Sequence, residues 1–114
     1  MKAKIFLVDD DPDMRELLGS ILSLNGYDVS KADCGAAVRE ALGREHPDIV
    51  LLDYKLPETP GREPTEIGLA LLPLLKREWP EAEVIHYLAT PSGVRAVRDL
   101  SATPRARRGK AQRA

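Results

Sequence analysis

The sequence is short of cysteine, of long apolar runs and of any net excess of charge. Its one cysteine, Cys34, cannot form an internal disulfide, which excludes a disulfide-stapled scaffold. The longest apolar stretches, Ile49 to Leu52 and Leu69 to Leu75 with Pro73 inside it, fall far short of the roughly 20 residues that span a bilayer. Ile5 to Val8 is likewise too short for the core of a secretion signal, so a cytosolic protein without a membrane segment is expected. The formal net charge is −1, yet residues 1–90 hold 10 basic and 17 acidic side chains and residues 91–114 hold 7 and 1. A basic end of this length reads first as a solvated tail over residues 101–114. Non-specific phosphate contacts through Arg105, Arg107, Arg108, Lys110 and Arg113 are the alternative, although no DNA-binding helix pair is visible.

With 114 residues, 43% of them hydrophobic, the chain has the size of a single domain, expected over residues 1–100. Lys4 to Val8 forms a compact apolar run that ends in aspartates, and Asp11-Pro12 supplies a helix N-cap and first helical residue. Met14, Leu17, Leu18, Ile21 and Leu22 follow at helical spacing until Asn25-Gly26 stops the helix, and the pattern predicts that this stripe packs on a sheet. Tyr27 to Ser30 reads as a short second strand. Ala36, Ala37, Val38, Ala41 and Leu42 make a second helical stripe, closed by Gly43 and Pro47. Ile49 to Leu52 is apolar at every position, as suits a central parallel strand covered on both sides. Leu69 to Trp79 predicts a third helix, with a kink or late start at Pro73; Glu83 to Leu88 predicts a fourth strand, and Val94 to Leu100 a brief fourth helix.

Alternating strands and helices predict an α/β fold with a parallel sheet, and such sheets bind ligands beyond the carboxyl ends of their strands. Asp9, Asp10 and Asp53 fall at those ends, so carboxylates distant in sequence meet in space. Clustered carboxylates repel one another unless a cation sits among them, and an all-oxygen site suits Mg2+. Such a cation can neutralise phosphate oxygens while one aspartate attacks phosphorus. The plainer reading is that Asp9, Asp10, Asp11 and Asp13 only favour a helix N-terminus; Asp53, after a buried strand, argues against it.

Two stretches, Ile5-Phe6-Leu7-Val8-Asp9-Asp10-Asp11-Pro12-Asp13-Met14-Arg15 and Pro47-Asp48-Ile49-Val50-Leu51-Leu52-Asp53-Tyr54-Lys55-Leu56-Pro57, resemble the receiver domains of bacterial two-component response regulators. The resemblance runs from about Lys4 to Leu88. It implies a flavodoxin-like doubly wound sheet, with Asp53 as phosphoacceptor, Asp10 as a direct ligand of Mg2+ or Mn2+, and Asp9 acting directly or through water. It further implies that the backbone carbonyl of Lys55 is a ligand and that Pro57 shapes the loop beyond the acceptor. The implied partner is a sensor histidine kinase or histidine phosphotransfer protein that docks on the first helix, Asp13 to Leu24.

Three departures from the family pattern are visible. Leu88-Ala89 stands where the family has a hydroxyl residue followed by Ala, leaving Thr90 as the nearest candidate hydroxyl. No regular fifth strand ending in Lys-Pro and no fifth helix can be found, so Lys110 is the only lysine beyond the fourth strand. Gly61 and Gly68 could each be the glycine that opens the third helix, which makes Arg62 to Ile67 an insertion. The fourth strand is then expected to be a free edge, inviting self-association through Val84 to Leu88. The composition beyond Thr90 has the look of a shifted frame or truncated gene. The competing readings are a degenerate receiver that only binds partners, and a haloacid dehalogenase-type phosphatase using Asp9 and Asp11.

Overall fold

The computed structural model describes residues 2–90 and 93–97. The elements run β1 (Lys4–Val8), α1 (Pro12–Leu24), β2 (Asp28–Ala32), α2 (Gly35–Ala41), β3 (Ile49–Asp53), α3 (Ile67–Glu78), β4 (Glu83–Thr90) and β5 (Gly93–Val97). They build one sheet in the order β2-β1-β3-β4-β5. β1 pairs in parallel with β2 and β3, and β3 pairs in parallel with β4. Consecutive strands that run the same way need crossovers, and α1, α2 and α3 supply them.

Each strand alternates its faces, and the two faces are covered differently. Phe6, Val8, Val50, Leu52 and Val84 point to the side where α2 and α3 deliver Val38, Ala41, Leu71, Leu72 and Leu75, and this is the main core. Trp79 closes it by an edge-to-face contact with Phe6, ring centroids 5.4 Å apart. Ile5 and Leu7, also buried, face the opposite side, where α1 lies over β1 and β2.

Local sequence accounts for the helix ends. The Asp11 side chain accepts from the N–H groups of Asp13 and Met14, and Pro12 occupies the first turn. At the other end Gly26 takes φ +91, a conformation that lets the chain reverse into β2.

Several expectations need correction. β5 takes up Gly93–Val97, where the start of a brief helix over Val94 to Leu100 is expected; residues 98–100 lie outside the described residues. It runs antiparallel to β4, from His86↔Val97 to Thr90↔Gly93, so β4 is covered from His86 onward and is not the free edge expected at Val84 to Leu88. A reversal short enough to form a hairpin explains this: it leaves no room for the crossover a parallel strand requires. The fifth strand thus exists, but not in the regular parallel form of the family. α3 starts at Ile67 and runs through Pro73. Pro73 is exposed, as is Leu69, whose carbonyl loses its helical partner, so the missing bond falls on the solvent side. The α1 stripe is only half used, because no other described helix flanks α1: Leu17 and Ile21 remain 55% and 47% exposed.

Candidate functional site

The carboxyl ends of β1, β3 and β4 converge on one acidic centre. Asp9 and Asp10 follow β1 directly, and Asp53 is the last residue of β3. Each offers a carboxylate oxygen, and the three oxygens lie within 4.8 Å of one another. Asp9 is 1% and Asp53 8% exposed, while Asp10 stands half-buried at the mouth.

Asp9 is held from every side. Its N–H continues the sheet ladder to the Ala32 carbonyl at 3.1 Å, and its own carbonyl accepts from Arg15 Nη1 at 2.8 Å. Oδ1 accepts from the Asp11 N–H at 2.9 Å, and Oδ2 accepts from the Tyr87 hydroxyl.

The loop after Asp53 is fixed by α2 and α3. The carbonyls of Pro57 and Glu58 accept from the Gly35 and Ala36 N–H groups at 2.9 and 2.8 Å, so the loop beyond Asp53 caps α2. Arg39 of α2 grips Glu58 with two bonds, at 3.1 and 2.9 Å. Leu56 and Thr65 exchange backbone bonds of 2.9 Å in both directions, which closes the insertion as a small loop turning at Gly61, φ +85. The two candidate glycines therefore separate in role. Gly61 turns the loop, whereas Gly68 lies in the first turn of α3 against the end of β3. A Cβ there would collide with the Asp53 carbonyl oxygen and reach 2.9 Å from that of Tyr54.

Burial pushes the Asp53 carboxyl up from 3.8 to about 7, with the neighbouring Asp9 and then Asp10 charges adding to the effect. Asp10 is raised as well, by burial first and then by Asp9. Burial, with the bond to Asp9 in support, drives the Tyr87 phenol far above its ordinary range, so it stays protonated and can only be a hydrogen-bond donor to Asp9. Among the described residues no lysine or arginine is ion-paired to the three crowded carboxylates, the Arg15 guanidinium being held instead on the Asp9 backbone carbonyl. Oxygen-only donors suit a hard divalent cation, and a spacing within 4.8 Å lets one cation reach all three directly or through water.

The sequence-predicted residues are thus brought together only in part. Asp9, Asp10 and Asp53 meet, and Lys55 lies two residues beyond Asp53 with an exposed side chain. Thr90 ends β4 and pairs with Gly93 in the backbone; its side chain, like Lys110 and the basic tail, lies outside the described residues. Asp11 is exposed and spends its carboxylate on capping α1, outside the cluster, which removes the second acid of the haloacid dehalogenase reading. Tyr87, which no sequence motif singles out, is a member of the site. The available signal was general: a buried tyrosine hydroxyl needs an acceptor, and three aspartates at the same sheet end could provide one. His86, one residue earlier, points to the opposite face, where its ring meets Tyr54 edge to face at 6.3 Å.

Fold and site together define a doubly wound α/β protein with an acidic, cation-ready centre at the carboxyl ends of its parallel strands. The chain belongs to the response regulator receiver domain family, whose pattern matches residues 5–102. It is 42% identical over 60 residues to the response regulator MprA of Mycobacterium leprae, a match spanning 53% of this chain and 26% of that protein. It is 40% identical over 60 residues to the probable transcriptional regulator ycf27 of Porphyridium aerugineum, spanning 53% and 25%. The matched stretch is about a quarter of the length of these curated relatives. Among solved structures, NtrX of Brucella abortus aligns with TM-score 0.63 at 36% identity, covering 75% of this chain and 18% of that one. The response regulator TrrA of Thermotoga maritima, in complex with Mg2+ and a beryllium fluoride, aligns with TM-score 0.65 at 28% identity, covering 81% and 73%. A CheY-like receiver domain protein of Methanospirillum hungatei, at 22% identity and TM-score 0.69, covers 99% and 93% and supports the fold.

Proposed function

We propose that this receiver takes a phosphoryl group on Asp53 in a two-component phosphorelay, with Mg2+ or Mn2+ held by Asp9, Asp10, Asp53 and the backbone carbonyl of Lys55. The observation that carries the reading is the convergence of three carboxylate oxygens within 4.8 Å at the sheet's carboxyl end. When bound, the cation would neutralise the carboxylates and the oxygens of the incoming phosphoryl group. An oxygen of the ionised Asp53 attacks phosphorus in line, the bond from phosphorus to the donor's leaving atom breaks, and that atom departs with its electron pair. With a phosphohistidine donor the leaving atom is an imidazole nitrogen, which then takes up a proton from water. Asp9 and Asp10 crowd Asp53 with negative charge and favour its protonated form; a bound cation would favour the ionised, nucleophilic form, the proton passing to water. A histidine kinase or phosphotransfer protein is the partner chemistry this implies, acting in the cytoplasm. The exposed apolar residues Leu17, Ile21 and Leu24 of α1 suit such docking.

A second reading, a receiver that binds partners without switching, is favoured by one observation: Leu88 stands where a hydroxyl would meet the phosphoryl group, and leucine offers no hydrogen bond. Thr90 is the candidate substitute, and Lys110 the candidate for the missing cation. Intact-protein mass after incubation with acetyl phosphate separates the two. Gain of one phosphoryl group that requires both Mg2+ and Asp53, and is lost in Asp53→Asn, supports the phosphorylatable receiver. A folded protein that gains none supports the partner-binding one.

A further inference from the structure

The reading of Asp9, Asp10 and Asp53 as one centre leaves a buried polar side chain at its edge without a task. Tyr87 is 4% exposed, and its hydroxyl is directed at Asp9 Oδ2. We infer that Tyr87 is a positioning residue of this centre, its hydroxyl fixing the Asp9 carboxylate in the orientation that a divalent cation beside Asp53 requires. The inference rests on the proposed function.

Three features of the geometry carry it. Asp9 is gripped from two elements at once: Oδ1 takes the Asp11 N–H of the turn into α1 at 2.9 Å, and Oδ2 takes the Tyr87 hydroxyl from β4. Two donors on the two oxygens fix the carboxylate plane, and each oxygen keeps a further lone pair for a cation. Tyr87 also reaches the acceptor through its backbone. It stands in register with Asp53, and its carbonyl accepts from the Tyr54 N–H at 3.0 Å. One residue therefore ties the acid after β1 to the strand end that carries the acceptor.

The third feature is charge. Among the described residues no lysine or arginine is ion-paired with the cluster. A neutral hydroxyl orients the Asp9 carboxylate without placing a positive charge on it, and the Arg15 guanidinium is held at the Asp9 backbone carbonyl, not at its side chain. Groups that orient a metal ligand from behind in this way typically change metal affinity by about 10- to 100-fold when removed.

The test is a titration with Mn2+ alone, without a phosphodonor, reading free Mn2+ by electron paramagnetic resonance. Tyr87→Phe keeps the ring and its packing and removes only the oxygen, and it is expected to weaken the Mn2+ dissociation constant by about tenfold. Val84→Ala, a core change on the same strand, is expected to lower the melting temperature and leave that constant unmoved. In an Asp9→Asn background, Tyr87→Phe should add nothing further, because its effect passes through Asp9; a full additional loss there overturns the inference. Tyr87→Phe that binds Mn2+ as tightly as wild type also overturns it, while leaving the proposed function standing. Wild-type protein that takes up no Mn2+, or takes it up equally well as Asp10→Asn and Asp53→Asn, overturns the proposed function and this inference together.

Discussion

Asp53 makes the metal-free protein less stable as pH rises, which is the reverse of what most native carboxylates do. Its folded-state value is raised from 3.8 to about 7, mainly by burial and then by the charge of Asp9. Below about pH 4 the group holds its proton in the folded and unfolded chain alike, and the fold carries no penalty. As pH rises from there through 7, the unfolded chain binds fewer protons than the folded one, so stability falls, and the fall levels off once the folded group has ionised. A rise of about three units sets a ceiling of ~4 kcal/mol. Water at the half-buried mouth beside Asp10 screens the charges and brings this to about 2 kcal/mol. Asp10 is raised too, so it acts in the same direction. The assay is urea unfolding in a chelator from pH 5 to pH 8, followed by the fluorescence of Trp79, which is buried in the core. Wild type should lose stability over this range, and Asp53→Asn, neutral throughout, should lose much less and be the more stable protein at pH 8. Saturating Mg2+ should restore the wild type at high pH and do little at pH 5, because the cation binds the ionised cluster. Parallel profiles for wild type and Asp53→Asn, or a wild type that gains stability from pH 5 to pH 8 without metal, would show that burial does not hold Asp53 protonated.

Other substitutions separate backbone requirements from packing. Gly68→Ala forces a Cβ into the Asp53 and Tyr54 carbonyls and should cost about 1–3 kcal/mol while slowing phosphorylation; Gly43→Ala, where a Cβ meets nothing, should be neutral in the same denaturant series. Asp11→Ala removes the α1 cap and should cost about 0.5–2 kcal/mol, with Mn2+ affinity in the same titration falling far less than for Asp10→Ala, since Asp11 lies outside the cluster. Leu75→Ala, deep between α3 and the sheet, should cost about 2–5 kcal/mol by urea unfolding, whereas Arg39→Ala, losing a solvent-exposed pair with Glu58, should cost no more than about 1 kcal/mol.

Most of the frame was legible because its signals are local. The run Ile49 to Leu52 has no polar face and became the central strand β3, and Asp11-Pro12 became the start of α1 where its capping chemistry required. The acidic site was legible because strand ends are fixed points: once β1 and β3 were parallel neighbours, Asp9, Asp10 and Asp53 had to converge. What local pattern could not reveal was pairing. Val94 to Leu100 carries apolar residues at spacings a helix accepts, and only the hairpin with β4 turns Gly93–Val97 into a strand. Tyr87 escaped for a similar reason, since its role depends on a partner 78 residues away. The α1 stripe misled in the other direction: period alone assigns Leu17 and Ile21 to a buried face, but whether something covers them is a tertiary fact. Gly61 and Gly68 look alike in sequence and differ in their tasks: Gly61 takes φ +85 with open space beside it, whereas at Gly68 the Asp53 and Tyr54 carbonyls stand where a Cβ would be.

Whether Asp53 accepts a phosphoryl group at the acidic centre is decided by where that group ends up. The most direct measurement is to locate that group chemically: react the protein with acetyl phosphate and Mg2+, reduce with borohydride, which converts an aspartyl phosphate to homoserine, and map the product by tandem mass spectrometry. Homoserine is expected at residue 53 alone, dependent on Mg2+ and absent after Asp10→Asn. Homoserine at another aspartate, or none in a folded protein saturated with metal, would contradict it.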